Sequence, residues 1–236
     1  MENSDKELFT NRRDFLGKMM LGATAFGLPA FASLPLHAEA LASADATTSG
    51  GEDPDAWINS IKGKHRLVLD VPRPHAIYPF AWAKIFLLTN EATGVPEKDC
   101  GVVVVLRHDA IPYAMKDELW AKYKLGEVFK ADDPLTKAPS TRNPFWQPKE
   151  GDFKVPGVGN VNIGINELQA SGVMFCVCNM ALTVYSAVVA QQMGVEAEEV
   201  KKEWIAGLLP GIQIVPSGIW AISRAQEKNC GYCFAG

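Results

Sequence analysis

The chain has 236 residues, 47% hydrophobic and 21% charged, with 23 Lys+Arg against 27 Asp+Glu. Those fractions exclude a disordered, collagen-like or wholly coiled-coil chain. The formal net charge of −4 argues against a general nucleic-acid binder, which carries a basic surface for phosphate, and five cysteines are too few for a disulfide-dense miniprotein.

Residues 1–46 read as a targeting segment. A polar start ends in Asn11-Arg12-Arg13-Asp14-Phe15-Leu16, and the uncharged run 19–36 contains Gly22, Gly27, Pro29 and Pro35. Overlapping small-x-small sites follow, from Ala38-Glu39-Ala40 to Ala44-Asp45-Ala46. Paired arginines ahead of a modestly apolar run and such sites have the form of a twin-arginine export signal, cleaved within 40–46. A transmembrane anchor fits less well, because the Gly and Pro residues weaken a short run as a helix. The sequence therefore predicts a periplasmic protein that meets the twin-arginine machinery and keeps no stable membrane insertion after cleavage. Residues 47–62 are small, polar and unpatterned at their start, and are predicted as a flexible tether.

Beyond the tether, 63–236 reads as one domain. Strands are predicted at 66–71, 101–106, 173–178, 212–216 and 231–234. The run Val102-Val103-Val104-Val105-Leu106 is continuously apolar, the pattern of a strand covered on both faces. Helical spacing predicts helices over 77–89, 115–123, 166–170, 180–193 and 196–208. A last helix, 217–227, opens on Ser217 as its cap. Strands alternating with helices give an α/β fold with a parallel sheet covered on both sides. One segment breaks the rhythm: about 130–162 carries Pro134, Pro139, Pro144, Pro148 and Pro156, with the large aromatics Phe145 and Trp146. A loop wrapped on its own subunit, a lid and a subunit contact are the alternatives for it.

In an open parallel sheet, ligands bind beyond the carboxyl ends of the strands. His75 follows the first strand, Arg107-His108 the second, Cys178-Asn179 the third, and Ser217 the fourth, with Trp220 one turn into the next helix. Cys178 ends a strand and begins a helix, so unpaired N–H groups and the helix dipole favour its thiolate; a buried structural cysteine is the alternative. Cys176 lies two residues earlier, on the same strand face, and is expected in the core or as a resolving thiol. Cys100 starts the second strand at the opposite edge. Cys230 and Cys233 spell C-x-x-C but fall on a strand, where residues three apart face opposite ways. That spacing is poor for a metal site, and neither a metal nor another cofactor is predicted.

Three stretches carry a resemblance: Leu106-Arg107-His108, Phe175-Cys176-Val177-Cys178-Asn179-Met180-Ala181-Leu182, and Pro210-Gly211-Ile212 with Val215-Pro216-Ser217-Gly218-Ile219-Trp220-Ala221-Ile222. They resemble the DsrE/DsrF-like (sulfur-relay) superfamily over most of 63–236. The resemblance implies a three-layer α/β/α sandwich with a five-stranded parallel sheet, a homo-oligomer (trimer or hexamer), and a persulfide-carrying cysteine at the position of Cys178. The export leader, the Pro-rich insertion and the extra cysteines depart from the cytoplasmic relay proteins. The expectation is a periplasmic sulfur carrier or sulfurtransferase-like protein served by a small sulfur-containing molecule or a sulfur-donor protein. In it, Cys178 accepts sulfur, Arg107 and His108 hold the anionic species, Asn179 and Ser217 supply hydrogen bonds, and Trp220 walls the pocket, with His75 on the same edge. A non-catalytic ligand- or metal-binding module and a thiol–disulfide redox protein using Cys176 with Cys178 remain the alternatives.

Overall fold

A computed structural model describes residues 53–236; the segment 1–46, predicted as an export leader, lies outside them. Five parallel strands form the sheet: β1 (His65–Val71), β2 (Cys100–Leu106), β5 (Met174–Cys178), β6 (Ile212–Val215) and β7 (Gly231–Phe234), in the spatial order β6-β5-β2-β1-β7. The chain thus builds outward from β1 to β6, then crosses back to lay β7 against the other side of β1.

Alternation along the strands splits the core in two. Leu69, Val71, Val102, Val104, Leu106, Phe175 and Val177 face one cluster, while Val68, Val103, Val105 and Cys176 face the other. The first face is covered by α2 (Tyr78–Ala92), α5 (Ile165–Ala170), α6 (Asn179–Met193) and α7 (Ala197–Ala206), through Phe80, Leu168, Leu182 and Trp204 among others. The second is covered by α1 (Pro54–Asn59) and α8 (Gly218–Glu227). This is a three-layer α/β/α sandwich, as the alternation of elements implies. Among the described residues no helix is long and apolar enough to cross a membrane.

The predicted tether is a structural element. Asp53 caps α1 by accepting from Asp55 N at 3.1 Å, and Pro54 occupies the first turn, where a missing N–H is harmless. Trp57, Ile58 and Ile61 are buried against the second face. Each stabilises the fold by about 1.5–3 kcal/mol. Their spacing (i, i+1, i+4) is too short a pattern to be read as a helix from sequence.

The Pro-rich insertion packs on its own chain. It follows a 3-10 turn (His108–Ala114), α3 (Asp117–Tyr123) and α4 (Leu125–Val128), and contains the short hairpin β3 (Lys154–Val155) and β4 (Gly159–Asn160). Phe145 is fully buried, its ring 4.2 Å from Phe80 and 5.3 Å from both Tyr113 and Phe153. Asn143, also fully buried, staples the loop down: its amide donates to Tyr113 O at 2.8 Å and Met115 O at 3.0 Å, and its oxygen accepts from Phe145 N. A buried side-chain amide satisfied at both ends fixes an irregular segment without secondary structure. Of the alternatives for this segment, the loop wrapped on its own subunit is the one that accounts for Phe145. Trp204 is also fully buried, against Tyr123 and Phe129, and only Trp146 remains half-buried.

Candidate functional site

The site follows from how the chain leaves two neighbouring strands. From β5 it turns into α6 on the first face, and from the adjacent β6 it turns into α8 on the second. Connections diverging to opposite faces open a crevice at the carboxyl ends of that strand pair, the usual ligand position in open α/β sheets. Cys178 and Val215 are the last paired residues there, followed by Asn179 on one side and Ser217 on the other.

Cys178 is the N-cap of α6. Its Sγ accepts the Ala181 N–H at 3.3 Å, so the sulfur occupies the place an oxygen takes in an ordinary helix cap. Its backbone (φ −73°, ψ 110°) is extended, and the side chain leaves the strand alternation to pack with the first cluster. Cys176 packs with the second. The expectation that both thiols share a face is therefore corrected, because the helix turn begins at Cys178 itself. Cys178 is also buried, at 6% exposure.

Arg107 stands beside it. Leu106 pairs with Val177 in the parallel register, so Arg107 and Cys178 are the next residues on adjacent strands. A thiolate at Cys178 lies within electrostatic reach of the guanidinium. Arg107 is not free, however. Its Nε and Nη2 bind Asp70 Oδ1 and Oδ2 at 2.6 and 3.0 Å, and Tyr232 donates its hydroxyl to the same Oδ2 at 2.8 Å. The hydrogen bonds to Asp70 are the main reason Arg107 holds its proton more tightly than usual. The arginine stem lies against Gly218 at the start of α8, where a Cβ would stand 2.6 Å from Arg107 Cβ; a glycine is needed for that close approach.

The other predicted residues divide. Ser217 caps α8, accepting from Trp220 N at 3.1 Å, so its hydroxyl oxygen already serves the fold. Asn179 opens α6, its carbonyl accepting from Thr183 Oγ1 at 3.0 Å. Trp220 packs against the second cluster with Arg224 over its ring. His75 is exposed and lies against Tyr78, ring centroids 4.9 Å apart. His108 is exposed in a left-handed conformation, φ 50°, its Nδ1 3.1 Å from Asp109 Oδ1. Asp109 in turn accepts a short hydrogen bond from Tyr185 of α6. Burial, and then that bond, push the Tyr185 hydroxyl up.

All five cysteines are free thiols. Burial pushes Cys176 far up, with a smaller contribution from Cys178. It raises Cys230 against the pull of Arg66, and raises Cys100 with help from Asp99 and Glu97. Cys230 packs on the second cluster and Cys233 on the first, facing opposite ways as their spacing on a strand requires. Among the described residues no three or more His, Cys, Asp or Glu side chains gather as a metal site.

Two clefts lie elsewhere. One of 510 Å³ is lined by Lys116, Glu118, Trp146, Gln147 and Leu208, and one of 210 Å³ by Asp133, Thr136, Ser140 and Arg142 within the insertion. Neither includes Cys178 or Arg107.

Sequence reasoning missed Asp70, Tyr232, Asp109 and Tyr185. Asp70 carried a signal, since an acid inside the apolar strand Leu67–Val71 must find a partner if both faces are covered.

Fold and site together define a parallel α/β/α sandwich with a helix-capping cysteine at its topological switch point. The chain matches no protein-family model and no curated protein. Among solved structures it is similar to the protein of unknown function MTH1491 from Methanobacterium thermoautotrophicum, at 16% identity over 72% of this chain and 99% of that one, with a TM-score of 0.37.

Proposed function

We propose that the chain is an exported sulfur carrier in which Cys178 takes up a sulfane sulfur. The observation that carries this reading is the position of Cys178: it caps α6 at the crevice between β5 and β6, with Arg107 on the neighbouring strand end. A helix N-terminus and a guanidinium both favour negative charge at that sulfur. The resemblance to the DsrE/DsrF-like superfamily, in the residues around Cys178 and in the segment 210–222, supports the same chemistry. The periplasmic setting rests on Arg12-Arg13 and the run that follows.

The step balances without an added oxidant. The Cys178 thiolate attacks the outer sulfur of a donor such as thiosulfate, a new S–S bond forms, and the donor's S–S bond breaks. Sulfite leaves with the electron pair, and Cys178 becomes a persulfide anion. A cysteine only 6% exposed suits a small donor better than the active-site loop of another protein. Pairing of Cys176 with Cys178 is the weaker reading, because Cys176 is fully buried and its thiol is held protonated.

The test is intact mass and peptide mapping of the mature protein after incubation with thiosulfate or inorganic polysulfide. Sulfur loading adds about 32 Da to the Cys178 peptide and is absent in Cys178→Ser. Loading at Cys233 instead, or at no cysteine, would sink the assignment.

A further inference from the structure

The Arg107 guanidinium is used along one edge only. Nε and one Nη2 hydrogen are taken by Asp70, and among the described residues the remaining three donors have no protein partner. A guanidinium presents five donors in a rigid fork, so fixing one edge fixes the direction of the other. Asp70 is itself held in place: it is 3% exposed on an interior strand, and Tyr232 from β7 donates to its second oxygen. Gly218 sets the arginine stem from the other side. β1, β2, β7 and the start of α8 thus converge on one side chain beside Cys178.

We propose that Asp70 is a positioning residue, held by Tyr232, which aims the free edge of Arg107 at the anion approaching Cys178. This rests on Cys178 being the reacting group. Two ideas predict opposite signs. If Asp70 acted only through its charge, removing that charge would make the site more attractive to anions. If it acts by holding Arg107, removing it releases the fork and makes the site less attractive, although the net charge has become more positive.

The probes are two alkyl methanethiosulfonates of equal reach, one bearing a sulfonate and one a trimethylammonium group. In each, the Cys178 thiolate attacks the sulfenyl sulfur, a mixed disulfide forms, and methanesulfinate leaves with the electron pair. Rates at Cys178 are read by peptide mass at low ionic strength, and the ratio of anionic to cationic rate is the observable.

Wild type is expected to favour the anionic reagent by about threefold or more, the size of a nearby unit charge at a partly wetted site. Asp70→Asn should lower that ratio towards one. Tyr232→Phe, which removes one hydroxyl from a 48% exposed residue, should lower it by a smaller factor. Arg107→Lys, which keeps the charge and loses the fork, should lower it as well. A ratio that rises in Asp70→Asn, or stays unchanged in Tyr232→Phe and Arg107→Lys, overturns the proposal. A native Cys178 unreactive to both reagents overturns it together with the sulfur-carrier reading. Failure of thiosulfate and polysulfide to load Cys178, with the ratios moving as stated, removes the sulfur chemistry and leaves the positioning role standing.

Discussion

Asp70 and Arg107 lie 37 positions apart and meet across the carboxyl ends of β1 and β2 in a two-pronged ion pair, Nε–Oδ1 at 2.6 Å and Nη2–Oδ2 at 3.0 Å. The pair is lopsided: the aspartate side chain is 4% exposed and the arginine 24%. Among the described residues, removing the arginine therefore leaves the buried carboxylate with only the Tyr232 hydroxyl as a partner.

Arg107→Ala is accordingly expected to destabilise the protein, by about 2–4 kcal/mol after allowing for the exposed side of the pair. Urea unfolding should give a lower midpoint at unchanged slope. The double variant Asp70→Leu with Arg107→Met should lose less than the sum of the two single changes. A midpoint equal to wild type in Arg107→Ala would show that the pair contributes nothing.

A second expectation concerns α1. Ile58 is 1% exposed against the second face of the sheet, so Ile58→Ala should cost about 2–4 kcal/mol. Truncation before Gly63 should cost more, because Trp57 and Ile61 go with it. If a chain starting at residue 63 unfolds at the same denaturant concentration as one starting at residue 47, α1 is the passive tether its composition suggested.

The strands and long helices were legible because their patterns are local. The apolar run at β2, the stripe of α7 with Val200 and Trp204, and the Ser217 cap each announce themselves within a dozen residues. Cys178 was legible as a strand-to-helix junction for the same reason. What stayed hidden depends on distant partners. Asp70 finds Arg107 only through the β1–β2 register, and Tyr232 reaches Asp70 only because β7 returns beside β1 rather than beside β6. The burial of Phe145 depends on Asn143 reaching Tyr113 and Met115 across some thirty residues. A Pro-rich stretch carries no periodicity that could report such contacts.

Gly218 gives a third expectation. Ala is the better helix former by about 1 kcal/mol, yet its Cβ would stand 2.6 Å from Arg107 Cβ and 2.8 Å from Cδ. Overpacking of this kind costs about 1–3 kcal/mol. Gly218→Ala should therefore be less stable than wild type by thermal or urea unfolding, and should lose much of that deficit in an Arg107→Gly background, which removes both the Cβ and the Cδ that the new methyl would meet. Equal effects in the two backgrounds would mean that the arginine stem is not what Gly218 accommodates.

The last expectation concerns alkaline pH. Cys176 is fully buried, and burial raises its thiol well above the ordinary value of 9.0; Cys230 and Cys100 are raised in the same direction. An unfolded chain releases these protons near pH 9, while the folded chain keeps them. The folded state then binds more protons than the unfolded state, so stability falls as pH rises. The contribution is complete below 9.0 and is lost as pH climbs towards the folded values. For Cys176, whose thiol is raised far above its unfolded value, the loss approaches a slope of about 1.4 kcal/mol per pH unit. Unfolding free energies for wild type should be nearly level from pH 7 to 8.5 and should decline above 9. Cys176→Ala should start lower, because a small cavity replaces the sulfur, but should decline less steeply over pH 9–10. Tyr113 and Tyr185, also raised by burial, enter only at higher pH and act alike in both proteins. Parallel curves for wild type and Cys176→Ala between pH 9 and 10 would mean that the buried thiol does not set the alkaline limit.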